Sequence, residues 1–181
     1  MQEIFGIGLG VAVVLLLRLI VPLSIFRWPF WGTIVSAIVD ALDVVLVDFI
    51  GMGSFAHYHN LDKILDLYYL SFAFIVSLRW EALARNTSIV LYIYRLIGSL
   101  LFEITGARIL LFIFPNMFEM FFWFEAWRQR YKPKWKLTKK RLAITLLIML
   151  IPKMIQEYIL HFLELKPWAD YLSKFVLPKN A

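Results

Sequence analysis

Hydrophobic positions in this chain run in long blocks separated by short polar breaks. Six blocks, residues 4–25, 31–50, 63–80, 87–104, 108–124 and 142–162, come close to the roughly 20 apolar residues that a helix needs to cross a hydrocarbon core of ~30 Å. Their connections are short, except for a polar segment between the fifth and sixth blocks. Pro115 and Pro152 fall inside blocks five and six and predict local bends there. No linker, internal repeat or low-complexity tract interrupts the series. The pattern therefore predicts an all-α fold: a single polytopic integral membrane domain over residues 1–181, built as a bundle of six transmembrane helices.

Composition agrees with that pattern. Hydrophobic residues make up 61% of the 181 and charged residues only 18%, against the ~45–50% and ~25% usual in a soluble domain, so the apolar excess is expected to face lipid. The formal net charge of +6 is a local property. Residues 128–141 hold eight of the 19 basic side chains (Arg128, Arg130, Lys132, Lys134, Lys136, Lys139, Lys140 and Arg141) and no acidic one, which leaves 11 positive against 13 negative elsewhere. A basic character spread for nucleic acid is excluded. The segment reads instead as a membrane-surface anchor for anionic lipid headgroups, or as a surface for an acidic partner or a phosphate-bearing substrate. With six spans, the first, third and fifth connections lie on one side of the membrane, and the basic excess places that side in the cytoplasm, with both termini outside. The N-terminal block lacks a positive leader and a small-residue cleavage site and carries Arg18, so it reads as a first span in a cell or inner membrane. Absence of cysteine excludes disulfides, thiolate catalysis, cysteine-ligated zinc and iron–sulfur clusters.

Acids inside the spans carry the candidate chemistry. Block two contains Asp40, Asp43 and Asp48, and block three begins with Asp62 and Asp66. An aspartate near a helix centre costs roughly 2.5–3.5 kcal/mol on insertion scales, while each large aliphatic returns only ~0.3–0.6. Block two is marginal on that arithmetic, and its acids must face a polar cavity, a metal or basic partners. Asp40 and Asp43 are three residues apart and Asp62 and Asp66 four apart, so each pair shares a helix face. The short Gly- and His-containing turn between the blocks favours antiparallel neighbours, which lets four carboxylates converge near one membrane interface. Like charges so placed repel unless cations lie between them, and hard oxygen ligands suit Mg²⁺, Mn²⁺ or Ca²⁺.

The acidic skeleton Asp40-x2-Asp43 and Asp62-x3-Asp66, with Arg18-x3-Pro22 ahead of it, resembles the CDP-alcohol phosphotransferases over about the first 80 residues. These are six-span membrane enzymes with the motif D-x2-D-G-x2-A-R … G-x3-D-x3-D. The resemblance implies that Asp40, Asp43, Asp62 and Asp66 hold two divalent cations and that a phosphate-linked group passes from a CDP-linked donor to an alcohol in phospholipid metabolism. Asp66 would serve also as base for the acceptor hydroxyl. Val44, the pair Val47-Asp48 and Tyr58 stand where the family has glycine, Ala-Arg and glycine.

Other polar residues in the spans extend the picture. Lys153, Glu157 and His161 recur at four-residue steps with Gln156 beside them, a polar stripe on block six in which Lys153 is a counter-ion or a neutraliser of phosphate. Arg95 lies near the centre of block four and Glu103 near its end; Arg95 is expected to pair with a carboxylate or clamp a phosphate. Asn116 and Glu119 follow Pro115 and are placed to satisfy backbone freed by the kink. Trp28, Trp31, Trp80, Trp127 and Trp168 cluster near block ends as interfacial anchors. No phosphate-cradling glycine loop, nucleophile elbow or H-E-x-x-H motif is present.

Two functions follow from these residues. One is a metal-dependent phosphotransferase on a lipid-linked substrate, with Asp66, Arg95 and Lys153 at the reaction. The other is a non-catalytic membrane protein, an ion- or proton-coupled transporter or a subunit of a homodimer or larger membrane assembly. There the acids form a charge network with Arg18, Arg95, Lys153, Asp48, Glu103, Glu157 and His161.

Overall fold

The structure, a computed structural model, describes residues 3–4, 7–49, 58–107 and 109–161, with side chains described for 13–41, 64–107 and 109–159. The chain divides into two compact units, one built on Met1–Phe72 and the other on Ala73–Lys166.

The first unit opens with a two-residue antiparallel pairing, β1 (Glu3–Ile4) with β2 (Ile7–Gly8), followed directly by helix α1 (Leu9–Ile20). The expected continuous helix over 4–25 is therefore shorter at both ends. Its C-terminal end tightens into a 3-10 turn, Val21–Phe26, with Pro22 in the first positions. Proline has no N–H to continue the α-helical ladder, and the tighter turn accommodates that loss. The Ser24 carbonyl then accepts from the N–H groups of both Arg27 (3.1 Å) and Trp28 (2.8 Å), which turns the chain into α2 (Pro29–Phe49). Pro29 opens that helix, where a missing N–H costs nothing. Gly32 seals the corner: a Cβ there would lie 2.7–2.8 Å from the backbone of the fully buried Ile25. Helix α3 (Tyr58–Ser77) begins in this unit and ends in the second.

The second unit continues with α4 (Ala82–Thr105), α5 (Ile109–Ile113), α6 (Met117–Tyr131) and α7 (Lys139–His161). Gly106 ends α4 in the left-handed region (φ 67°), its N–H donating to the Phe102 carbonyl. The fifth block is not one helix. It breaks at 114–116, around Pro115, into α5 and α6, whereas Pro152 stays within a continuous α7. An aromatic core fills this unit. Phe118, Phe121 and Phe122 are fully buried, Phe74 stacks on Tyr92 at 4.2 Å between ring centres, and Trp80 packs on Phe122 at 4.9 Å. Trp80 is therefore a core residue, not the interfacial anchor that its place near a block end predicts; Trp28, Trp31 and Trp127 are exposed, and Trp168 lies outside the described residues.

Among the described residues three helices are long and apolar enough to cross a membrane: Ala82–Thr105, Ile109–Tyr131 (read across the break) and Lys139–Ile159. The apolar stretches Val13–Phe26, Pro29–Ala41 and Ile64–Ser77 are shorter within the described residues. Val90, Ile93, Ile97, Leu100 and Ile104 form an outward stripe on α4, with Ile104 81% exposed; Leu147, Ile148, Ile151 and Ile155 do the same on α7. Outward stripes of large aliphatics suit lipid rather than water. The protein is all-α, with the features of a membrane protein.

Candidate functional site

The acidic site lies in the first unit and draws one residue from each of its three helices. Arg18, near the end of α1, is 5% exposed. Its Nη2 donates to Asp40 of α2, and the same nitrogen donates to Oδ1 of Asp66 of α3 at 2.8 Å. Two carboxylates far apart in sequence thus share a single cationic nitrogen. Their side chains are about half exposed, 41% for Asp40 and 43% for Asp66, while the guanidinium is sealed.

Local structure explains how the three meet. Tyr68 donates to the Leu19 carbonyl at 3.1 Å, where α1 gives way to the 3-10 turn, and so ties α3 to the end of α1 beside Arg18. On α2, Thr33 and Ser36 donate to carbonyls one turn back, Pro29 (2.5 Å) and Gly32 (2.7 Å). Their hydroxyls are satisfied without drawing on the acids. A cavity opens beside the ion pair, lined by Arg18, Val21, Pro22, Ser36, Val39, Asp40, Leu65 and Tyr69. It has an apolar wall and a charged one.

Asp43, Asp48 and Asp62 belong to α2 and α3, but their side chains lie outside the described residues, as does that of His161 on α7. Among the described residues no group of three or more potential metal ligands stands together. Asp40 and Asp66 are the two members of the proposed set whose convergence is visible. Their oxygens face one positive centre, for which the guanidinium is the present occupant, and a carboxylate pair of that kind suits a hard cation.

The remaining polar residues have partners within the second unit. Arg95 does not pair with a carboxylate. Its Nη1 donates to the Phe114 carbonyl at 3.2 Å, and Tyr94 donates to the Ile113 carbonyl at 2.5 Å. The break at Pro115 frees both acceptors, and α4 supplies the donors. On the other side of the break Asn116 caps α6, accepting from the Glu119 N–H at 3.4 Å and donating from Nδ2 to Glu119 Oε2 at 2.9 Å. Lys153 is buried and pairs with Glu157 at 3.0 Å, with Gln156 Oε1 at 3.1 Å. Glu103 is exposed near the end of α4.

Arg128 departs most from its sequence reading. It is 3% exposed and is no part of a headgroup-facing surface. Its Nε and Nη2 reach the two oxygens of the fully buried Glu125 at 2.7 and 2.6 Å, and its Nη1 donates to the Trp135 carbonyl at 2.6 Å. Gln129 adds a bond to Glu125 at 2.9 Å, and Glu81 lies 4.0 Å from Arg128. The other seven basic residues of 128–141 are exposed. Proximity of Glu81 to Arg128 puts the start of α4 and the end of α6 at one end of the unit. The spacing Glu125–Arg128 was the available signal for this clamp. Nothing in sequence ranked it above the other charges of the run. The chain matches no family model, no characterised protein and no solved structure.

Proposed function

We propose that this chain is a six-span integral membrane protein, with its 128–141 loop in the cytoplasm, whose first three spans form a divalent-cation site for transferring a phosphate-linked group on a lipid-borne substrate. One observation supports the reading above the others: Asp40 and Asp66, from different helices, turn their oxygens to a common positive centre beside an open cavity. Sequence adds Asp43 on the Asp40 face and Asp62 on the Asp66 face. Clustered carboxylates repel one another unless cations lie between them, and a divalent ion supplies that charge. Asp40, Asp43, Asp62 and Asp66 would hold a cation such as Mg²⁺ or Mn²⁺, which when bound neutralises charge on the transferred phosphoryl group. Asp66 is the base that takes the proton of the acceptor hydroxyl. Arg18 holds Asp40 and Asp66 in register. Arg95 and Lys153 are committed to Phe114 and Glu157 and take no part in the reaction on this reading.

A second reading has its own support. Arg18 already serves both described carboxylates, and Val44 and Asp48 replace the glycine and arginine of the family motif. On it the site is a fixed charge network in a transporter or an assembly subunit. Manganese binding by the full-length protein in detergent, followed by the electron paramagnetic resonance of free Mn²⁺, separates the two. The transferase reading expects saturable binding that falls at least about tenfold in Asp40→Asn or Asp66→Asn, and an Arg18→Gln protein that still folds but binds about 10–100-fold more weakly because the two carboxylates lose their register. No saturable binding, together with loss of the folded protein in Arg18→Gln, would leave the charge network as the better account.

A further inference from the structure

The connection from α6 to α7, residues 132–138, is exposed at most positions but pinned by a few specific contacts. Leu137 is buried, and the Trp135 ring meets Phe124 edge-on at 6.0 Å between centres. Arg128, itself locked onto Glu125, holds the Trp135 carbonyl. From the other side Arg141 donates to the Lys136 carbonyl at 2.9 Å and lays its guanidinium over the Trp135 ring at 4.7 Å. Thr138 accepts from the Arg141 N–H at 3.4 Å, which starts α7. None of these contacts uses a lysine side chain. Lys132, Lys134, Lys136, Lys139 and Lys140 are left exposed, beside Arg130, in a stretch with no acidic residue.

We propose that this loop is a preformed docking surface for the anionic phospholipid headgroups of one leaflet, with Glu125 and Arg128 as positioning residues. It joins two segments of membrane-crossing length, Ile109–Tyr131 (read across the break) and Lys139–Ile159, and is too short to leave the headgroup layer. Exposed Trp127 and Tyr131 at the end of α6 mark that layer. Lysine stems can lie along the apolar boundary with their ammonium groups among phosphates. Because the protein's own contacts fix the loop, lipid binding orders no backbone, which is how a preformed surface gains affinity. This inference is independent of the acidic site.

The test uses the full-length protein in nanodiscs of equal parts phosphatidylcholine and phosphatidylglycerol. After mild detergent extraction at low and high salt, the retained lipids are counted by mass spectrometry. Wild type is expected to keep phosphatidylglycerol in excess, less so at high salt. Lys134→Gln/Lys136→Gln/Lys139→Gln/Lys140→Gln changes only exposed side chains and should cut that preference about tenfold. Glu125→Leu/Arg128→Leu keeps every exposed cation and should also lower it, because the display is lost; if that variant does not fold, the lysine variant carries the test. Equal preference in wild type and the lysine variant would overturn the proposal and leave the cations to an acidic protein partner. Displacement of the lipid by inorganic phosphate, but not by chloride at equal ionic strength, would also overturn it in favour of a free-phosphate site.

Discussion

Two arginine–carboxylate centres in this molecule use the same chemistry to opposite ends. Around Arg128 everything is closed. Glu125 is three residues away, both partners are buried, the pair is bidentate, and the remaining guanidinium donor finds the Trp135 carbonyl. Around Arg18 the arrangement is open. Its partners come from two other helices, one nitrogen serves both, and each carboxylate is about half exposed. The first centre pairs its buried carboxylate fully, leaves the exposed Glu81 4.0 Å away in solvent, and fixes a shape. The second sets two half-exposed carboxylates on one guanidinium nitrogen and borders a cavity. Inside a membrane protein, accessible carboxylates distinguish a candidate site from a strut better than the presence of charge does.

The largest expected effect tests that distinction at the closed centre. Arg128→Ala leaves Glu125 buried without its partner, and breaking such a pair costs about 3–5 kcal/mol. Thermal unfolding in detergent should show it as a large drop in midpoint. Replacing both residues by leucine removes both charges and should recover most of the loss, since apolar replacement of a whole buried pair is often neutral. If the double variant is as unstable as Arg128→Ala, the clamp is not a self-contained strut and the contrast with Arg18 fails.

A smaller effect is expected where α4 passes the break at 114–116. Gly98 on α4 faces the side chain of Phe114, and a Cβ added there would overlap the Phe114 Cβ and Cγ. Gly98→Ala should cost about 1–3 kcal/mol by overpacking, again read by unfolding in detergent. Phe114→Gly in the same chain removes the overlapping Cβ as well as the ring and should relieve part of that cost. No relief would mean that the break at 114–116 does not rest on Gly98.

How much of this was readable beforehand depended on whether an element's partners could be guessed. Asp40 and Asp66 could be placed together because each belongs to an acid pair on one helix face and the two helices are joined by a short turn. Pro115 predicted a local bend, which the structure carries further to a break, and Asn116 with Glu119, read as satisfying backbone freed there, form the cap that follows it. That Arg95 would serve the break was not legible, since it requires α4 to lie beside residues 113–114. Nor was the burial of Arg128. Helix α6 is aromatic on several sides, with Phe118, Phe121, Phe122, Trp123 and Phe124 in near succession, so the sequence offers no single apolar face to tell which charges turn inward. The 3-10 turn at Pro22 was missed for a different reason. A proline close to the end of an apolar block can sit in a helix or finish it, and periodicity does not separate the two.

The smallest expected effect compares the two units through one kind of bond. Tyr68 in the first and Tyr94 in the second each donate to a main-chain carbonyl at a helix irregularity, Leu19 and Ile113 respectively. A single side-chain hydrogen bond within a membrane protein averages only about 0.6 kcal/mol, so Tyr94→Phe should shift unfolding slightly and do no more. Tyr68→Phe removes the same number of hydrogen bonds, but it loosens α3 next to the Arg18 centre. It should therefore disturb manganese binding while costing about the same stability. If the two variants are indistinguishable in both measurements, the Arg18 centre does not depend on the α1–α3 tether and is as locally determined as the one around Arg128. If Tyr68→Phe alone changes binding, the open centre is the one assembled through tertiary packing, as expected of a site that must adjust to what it holds.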